Sequence, residues 1–246
     1  MDNLVVIVTG ATGSAGRAVC REMLIAGATV IGVGHDADRL AVLGTALTGL
    51  HTYQVDLSDS TSVRDFVADV RDAHGRIDGL IHLVGGWRGG ATFDANTDAD
   101  WAFLSGGLID TLRHLTLELH HEIANSATGR VAIVSTTAVS TPTAGNANYV
   151  AAKAAAEAWM LALADEFRQT AGSAGEATPA DPTAAAVIFA VKAFVDGEMR
   201  AEAPTRKFPG FTDVNDLAWA VVEMFAQDAG ALNGRRIVLD AWDAGS

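Results

Sequence analysis

Seven short apolar runs recur along the chain with longer segments of helical character between them. That alternation constrains the fold more than any other feature. The runs are LVVIV (4–8), TVIGV (29–33), HTYQV (51–55), DGLIHLV (78–84), RVAIVS (130–135), AAAVIFAV (184–191) and RIVLD (236–240). Most lack period-2 alternation, as strands buried on both faces do. The segments between them, 14–26, 37–46, 60–74, 98–125, 147–170 and 213–228, read as helices, with Asp59 and Thr97 as N-cap side chains. Strands separated by helices of this length are expected to be parallel and joined by right-handed crossovers. The expected fold class is therefore α/β: a doubly wound, seven-stranded, mostly parallel sheet with helices on both faces.

No Pro/Ser tract or charge block divides the 246 residues, so residues 1–246 are expected to form a single domain. Residues 171–182, AGSAGEATPADP, read as a loop before the sixth strand. Seventeen basic residues against 30 acidic ones leave a formal net charge of −13, which opposes binding to nucleic acid or anionic lipid. Cys20 is the only cysteine, so no internal disulfide can form. The apolar run at the start is too short for a signal peptide or a membrane span. Together these features give the expectation of a cytoplasmic protein that binds neither nucleic acid nor membrane.

Two short motifs carry chemistry. TGATGSAG (9–16) follows the first strand directly and opens a helix, with Gly10, Gly13 and Gly16 at every third position. Such glycines allow a tight turn, close backbone approach to a pyrophosphate and close helix–strand packing, and the helix N-terminus offers free N–H groups to phosphate. Further on, NYVAAKAAAEAW (148–159) is alanine-rich and helical by propensity. It places Tyr149 and Lys153 at i and i+4, on one face. A phenol beside an ammonium is an acid/base pair whose members shift one another's proton affinity.

These stretches, with Asp56 in QVDLSD and RVAIVSTT at 130–137, resemble the short-chain dehydrogenase/reductase family along essentially the whole chain. The resemblance implies a Rossmann-type fold and an NAD(P)-dependent oxidoreductase that interconverts a carbonyl and an alcohol. It implies that Tyr149 is the general acid/base, and that Lys153 lowers the phenol's proton affinity and holds the cofactor. Gly10, Thr12, Gly13, Ser14, Ala15 and Gly16 would form the pyrophosphate turn, and Asp56 and Leu57 would face the adenine. His35, Gly85 and Gly86 would complete the cofactor site. It also implies a small-molecule substrate and a homodimer or homotetramer.

The chain departs from the family pattern at several positions. Thr136 stands where the family has a serine on the substrate oxygen; it keeps a hydroxyl, while Ser135 and Thr137 should face away. Gly107 replaces an asparagine of the fourth helix, and the Gly106-Gly107 pair predicts a kink or local opening there. Lys192 and Gly197 stand near the positions of the family's proline and threonine after the sixth strand. The acidic residue with which NAD-using members bind the ribose 2′-OH falls on Gly34, followed by His35 and Asp36. Asp36 could substitute for it; the absence of an acidic side chain at 34 favours NADP, while Arg17 and Arg39 are the only arginines near, so the expected cofactor is NAD(P) with a slight lean to NADP.

The loop GGWRGG (85–90) is similar to dihydropteridine reductase, a member of the same family. It reads either as a pteridine site or as a cofactor wall with Trp87 packed at the surface. His114, His120 and His121 recur on the fourth helix, but no carboxylate or cysteine completes an obvious ligand set in sequence, so no metal is expected. A catalytically silent dinucleotide-binding sensor or partner module is the rival class, given the changed asparagine, proline and threonine positions. Substrate specificity is expected to reside in 87–96 and 192–212.

Overall fold

Alternate residues of the strands feed two separate apolar cores, one on each face of the sheet. Val5 and Ile7 enter one and Val6 and Val8 the other. Both side-chain directions of the strand therefore meet protein, which is why the run shows no polar alternation. The computed structural model describes residues 1–172 and 181–239.

The main sheet contains β1 (Val5–Thr9), β2 (Thr29–Gly34), β3 (His51–Gln54), β4 (Gly79–His82), β5 (Arg130–Thr136), β6 (Ala185–Val191) and, last in the chain, β9 (Arg236–Val238). Its order is β3-β2-β1-β4-β5-β6-β9, and every neighbouring pair is parallel. A separate two-stranded ribbon pairs β7 (Phe194–Val195) with β8 (Thr212–Asp213).

One face carries α3 (Ser60–His74), α5 (Thr111–Ala124) and α6 (Ala147–Gly172), which contribute Phe66, Leu115, Met160 and Phe167 to its core. The other carries α1 (Ser14–Ile25), α2 (Ala37–Ala46), α8 (Val214–Met224) and α9 (Ala229–Leu232), with Met23, Leu43, Leu217 and Leu232 facing inward. Cys20 lies in this second core, where burial pushes its thiol up to about 12. Asp59 caps α3 through the N–H groups of Thr61 and Ser62, and Thr97 caps α4 (Asp98–Ser105) through that of Asp100.

The segment read as one long helix, 98–125, is two. Between α4 and α5 the chain makes a π-helical turn over Gly106–Asp110, where the Thr111 N–H reaches back to the Gly106 carbonyl. The two adjacent glycines carry no side chain to hold the regular ladder, and the widened turn is the opening their presence predicted. Two features of the 194–213 region went unread: the short ribbon and α7 (Gly197–Glu202). The run expected at 236–240 ends as a strand at Val238, and Asp240 lies outside the described residues, as do residues 173–180 of the expected loop. Among the described residues no helix is long and apolar enough to cross a membrane.

Candidate active site

The strand order reverses between β1 and β4, and the crevice that opens there at the carboxyl ends of the strands is where doubly wound sheets hold ligands. Two connected compartments occupy it. The first, about 370 Å³, is bounded by Thr12, His35, Arg39, Asp56 and Leu57. The second, about 580 Å³, is bounded by Ser14, Ala15, Gly16, Gly86 and the trio Thr136, Tyr149 and Lys153. Gly10, Gly13 and Gly85 border both, so the glycine turn forms the sill between them.

The three glycines of the turn are there for different reasons. Gly10 has φ +67°, and a Cβ on it would lie 2.6 Å from the Leu83 carbonyl oxygen. A Cβ on Gly16 would lie 2.2 Å from the Gly10 oxygen. The chain's own packing therefore requires both. A Cβ on Gly13 would meet protein only at 3.4 Å, at the edge of ordinary contact. Gly13 has normal backbone angles at the N-terminus of α1, so its missing side chain leaves space on the crevice side. That space, beside free helix N–H groups, fits the pyrophosphate of a dinucleotide.

Beside the first compartment Asp36 caps α2 by accepting from the Arg39 N–H. The Arg39 guanidinium folds back to donate to the Thr12 carbonyl at 3.0 Å, beside His35. Arg17 instead lies toward Glu198 at 3.7 Å, outside this compartment. Asp56 accepts from the N–H and hydroxyl of Ser58, which holds its carboxyl below the usual range.

In the second compartment β5 delivers Thr136 and the first turns of α6 deliver Tyr149 and Lys153. Burial pushes the Tyr149 phenol upward, opposed by a hydrogen bond with Thr136. Burial also pushes Lys153 down to about 8, opposed by Glu157. The lysine donates to the Val134 carbonyl at 2.6 Å, and its nitrogen stands 6.0 Å from the centre of the Tyr149 ring. Burial leads the shift at Tyr149, and the Lys153 ammonium is turned to the backbone of β5. Ser135 also borders this compartment, but its hydroxyl donates to Glu157, which also pairs with Arg236 of β9 at 3.0 Å. The same Arg236 donates to the Thr136 carbonyl at 2.8 Å and so braces the strand end from below.

Sequence reasoning missed His82. It is fully buried at the end of β4, opposite Thr9, and bridges two threonines. Its Nδ1 lies 2.9 Å from the Thr9 hydroxyl and its Nε2 3.1 Å from that of Thr111. Thr111 donates its only hydroxyl proton to the Gly107 carbonyl at 2.7 Å. It must therefore accept from Nε2–H, which leaves Nδ1 to accept from Thr9. Burial, with Lys153 nearby, pushes the imidazole down to about 3, so the ring is neutral. This chain of bonds ties the glycine turn's strand, β4 and the π-turn together behind Lys153. A lone histidine inside the apolar run GLIHLV was the available signal.

The GGWRGG loop is docked rather than loose. The Gly90 N–H donates to the Gly145 carbonyl at 2.8 Å, and a Cβ on Gly145 would strike the Gly90 oxygen at 1.9 Å. Arg88 pairs with Asp100 at 3.3 Å and lies 4.2 Å over the Phe103 ring, away from the crevice. Trp87 borders the second compartment with 65 % of its surface exposed. Lys192 stands at the opposite rim and donates to the Pro209 carbonyl at 3.2 Å.

A parallel doubly wound sheet with a glycine turn at its switch point and a two-part crevice defines a dinucleotide-binding α/β protein. The chain belongs to the short chain dehydrogenase family, whose model matches residues 4–175. It is an NAD(P)-dependent oxidoreductase. It is similar to acetoacetyl-CoA reductase from Acinetobacter sp., 24 % identical over 242 residues and 96 % of each chain. It is also similar to the 3-oxoacyl-(acyl-carrier-protein) reductase FabG from Haemophilus influenzae, 24 % identical over 239 residues and 95 % of each chain. Among solved structures, the NADPH-bound short chain oxidoreductase from Pseudomonas aeruginosa, described as containing an atypical catalytic center, has a TM-score of 0.82. It is 19 % identical, and the match covers 99 % of this chain and 97 % of that one.

Proposed function

We propose that this protein reduces a small-molecule carbonyl compound to the alcohol, and catalyses the reverse, with Tyr149 as the general acid/base. The observation that carries the reading is the convergence of Thr136, Tyr149 and Lys153 on one compartment beside the glycine turn. The nicotinamide of the bound cofactor supplies or accepts the hydride. The substrate oxygen sits between the Thr136 hydroxyl and the Tyr149 phenol; the tyrosine gives it a proton as the carbonyl carbon gains the hydride, and recovers one from solvent afterwards. Because burial raises the phenol, Tyr149 holds its proton at neutral pH, the form that reduction requires. Lys153 spends one N–H on Val134, and the other two remain to hold the hydroxyl groups of the cofactor's ribose.

The preferred cofactor in this reading is NADP. Asp36, the one acidic candidate for a ribose 2′-OH, is committed to capping α2, while Arg39 and His35 border the adenosine compartment and suit a 2′-phosphate. The NADPH in the Pseudomonas aeruginosa neighbour agrees with this lean. Residues 1–246 are read as one NAD(P)-binding domain and the protein as cytoplasmic, in keeping with a single buried cysteine and no disulfide among the described residues.

The test is a panel of β-keto thioesters, simple ketones, quinones and dihydropterin, each assayed with NADPH and NADH. Turnover is expected on at least one ketone, with a lower KM for NADPH. Tyr149→Phe should keep cofactor binding and lose roughly 10²–10⁴-fold in kcat. A Tyr149→Phe variant as active as wild type overturns the mechanism. Saturable reduction of dihydropterin alone would instead favour the pteridine reading, for which the exposed indole of Trp87 at the rim is the supporting feature.

A further inference from the structure

We propose a second site, for a divalent transition metal of the zinc class, held by His120 and His121 of α5 and Glu166 of α6. One ligand atom from each of the three lies within 4.8 Å of the other two. The sequence separates the carboxylate from the histidines by more than forty positions, so only the packing of α5 against α6 completes the set.

The local geometry prepares His120 as a ligand. Its Nδ1 lies 3.0 Å from the Leu117 carbonyl and 3.2 Å from that of Thr116. A carbonyl can only accept, so Nδ1 carries a proton and Nε2 is the ring atom left to offer a lone pair to a metal. A backbone carbonyl on one imidazole nitrogen is the usual outer support of a metal-bound histidine. The His121 ring lies against it, centroids 3.9 Å apart and planes tilted by 37°. Among the described residues, Glu166 accepts a long hydrogen bond from Thr170, at 3.4 Å, and no Lys or Arg pairs with it. Its neighbour Asp165, by contrast, is engaged by Arg168 and Gln169.

The ligand types select the metal. Two imidazoles and a carboxylate suit zinc and the neighbouring divalent ions, whereas calcium and magnesium prefer oxygen alone. Metal–ligand bonds near 2.1 Å put tetrahedral ligand atoms about 3.4 Å apart. The set must therefore close by up to about 1.4 Å, which rotation of the exposed His121 and the half-buried Glu166 can supply. Water would fill the fourth position, since the groove beside the set is otherwise lined by Thr116, Leu117, Trp159, Ala162 and Leu163. Glu166 lies 17 residues along α6 from Tyr149, about 25 Å at 1.5 Å per residue. The ion's role there is to clip α5 to α6, and not to act in hydride transfer.

The test uses untagged, chelator-treated full-length protein and zinc chloride as the probe in titration calorimetry, with cobalt(II) absorbance as a spectroscopic check. One equivalent per chain is expected to bind in the micromolar range. A hundredfold excess of zinc over Kd should raise Tm by roughly 5–10 °C. His121→Ala and Glu166→Gln each remove one ligand at the surface, and each should weaken binding at least tenfold. Unchanged circular dichroism and cofactor affinity will show that both variants are folded. No zinc binding by the wild type, or less than a tenfold loss in either variant, overturns the proposal.

Discussion

At the residue scale, the cleft shows which positions answer to the protein's own packing and which to a ligand. Gly10 and Gly16 are forced by backbone that a Cβ would meet within 3 Å, whereas a Cβ on Gly13 would meet protein only at 3.4 Å. Gly13→Val should therefore fold normally and lose dinucleotide binding by calorimetry; equal affinity in wild type and variant would remove the pyrophosphate from this turn. Thr136 and Ser135 separate in the same way. The Ser135 hydroxyl is spent on Glu157, so Thr136 is left as the hydroxyl available to a substrate oxygen. Thr136→Val, which keeps shape, is expected to lower kcat/KM by ten- to a hundredfold, about 1.4–2.7 kcal/mol of transition-state stabilisation. Thr136→Ser should stay within a few-fold of wild type. A fully active valine variant would assign the oxyanion contact elsewhere.

At the scale of elements, the end of the sheet opposite the crevice is tied by Asp78. Its buried carboxylate accepts from the Val5 N–H, the Ser126 hydroxyl and the Arg76 guanidinium, and so joins β1, β4 and the chain after α5. Burial would raise its proton affinity, but these donors outweigh burial and the carboxyl is held below its usual range. A folded value below the unfolded one means that the stabilisation is complete above about pH 4. It is lost as the pH falls through the folded value. Asp78→Asn should lower stability at pH 7 by roughly 2–3 kcal/mol in urea titration, with a smaller difference from wild type at pH 3. A constant difference across that range would show that the charge is not what matters. The π-turn belongs to this scale as well. Two glycines loosen the helix, and the His82–Thr111–Gly107 chain of hydrogen bonds holds the opened turn in place.

At the scale of the whole molecule, α6 carries its functional groups on one side and an unusually smooth surface on another. Ala151, Ala155, Ala158 and Ala162 are exposed along it, with Leu161 half exposed, and Leu117 of α5 is half exposed. Small side chains let a second helix approach closely, which supports the expected homodimer or homotetramer. Light scattering on the purified protein should give a multiple of the chain mass, and Leu161→Arg should shift it toward the monomer without changing the fold. A wild-type monomer at micromolar concentration would refute self-association through this face.

Much of this was written in local sequence. Strand and helix periods are short-range properties, so β1, α1, α2, α3 and α6 could be read nearly to the residue, and the glycine turn and the Tyr149/Lys153 pair each span only a few positions. The family resemblance added what the expected site residues would do. What the sequence left open depends on groups brought together from distant elements. Whether a phenol rises or falls depends on how much water the fold removes from it, and at Tyr149 burial is the leading influence. His82 acquired meaning only when Thr9 and Thr111 arrived on its two nitrogens from other elements. Glu166 met His120 and His121 in the same way, across a helix pair. Periodicity and turn chemistry are encoded within a few residues and survive without a fold; desolvation, tautomers and ligand sets exist only once tertiary packing has chosen the neighbours.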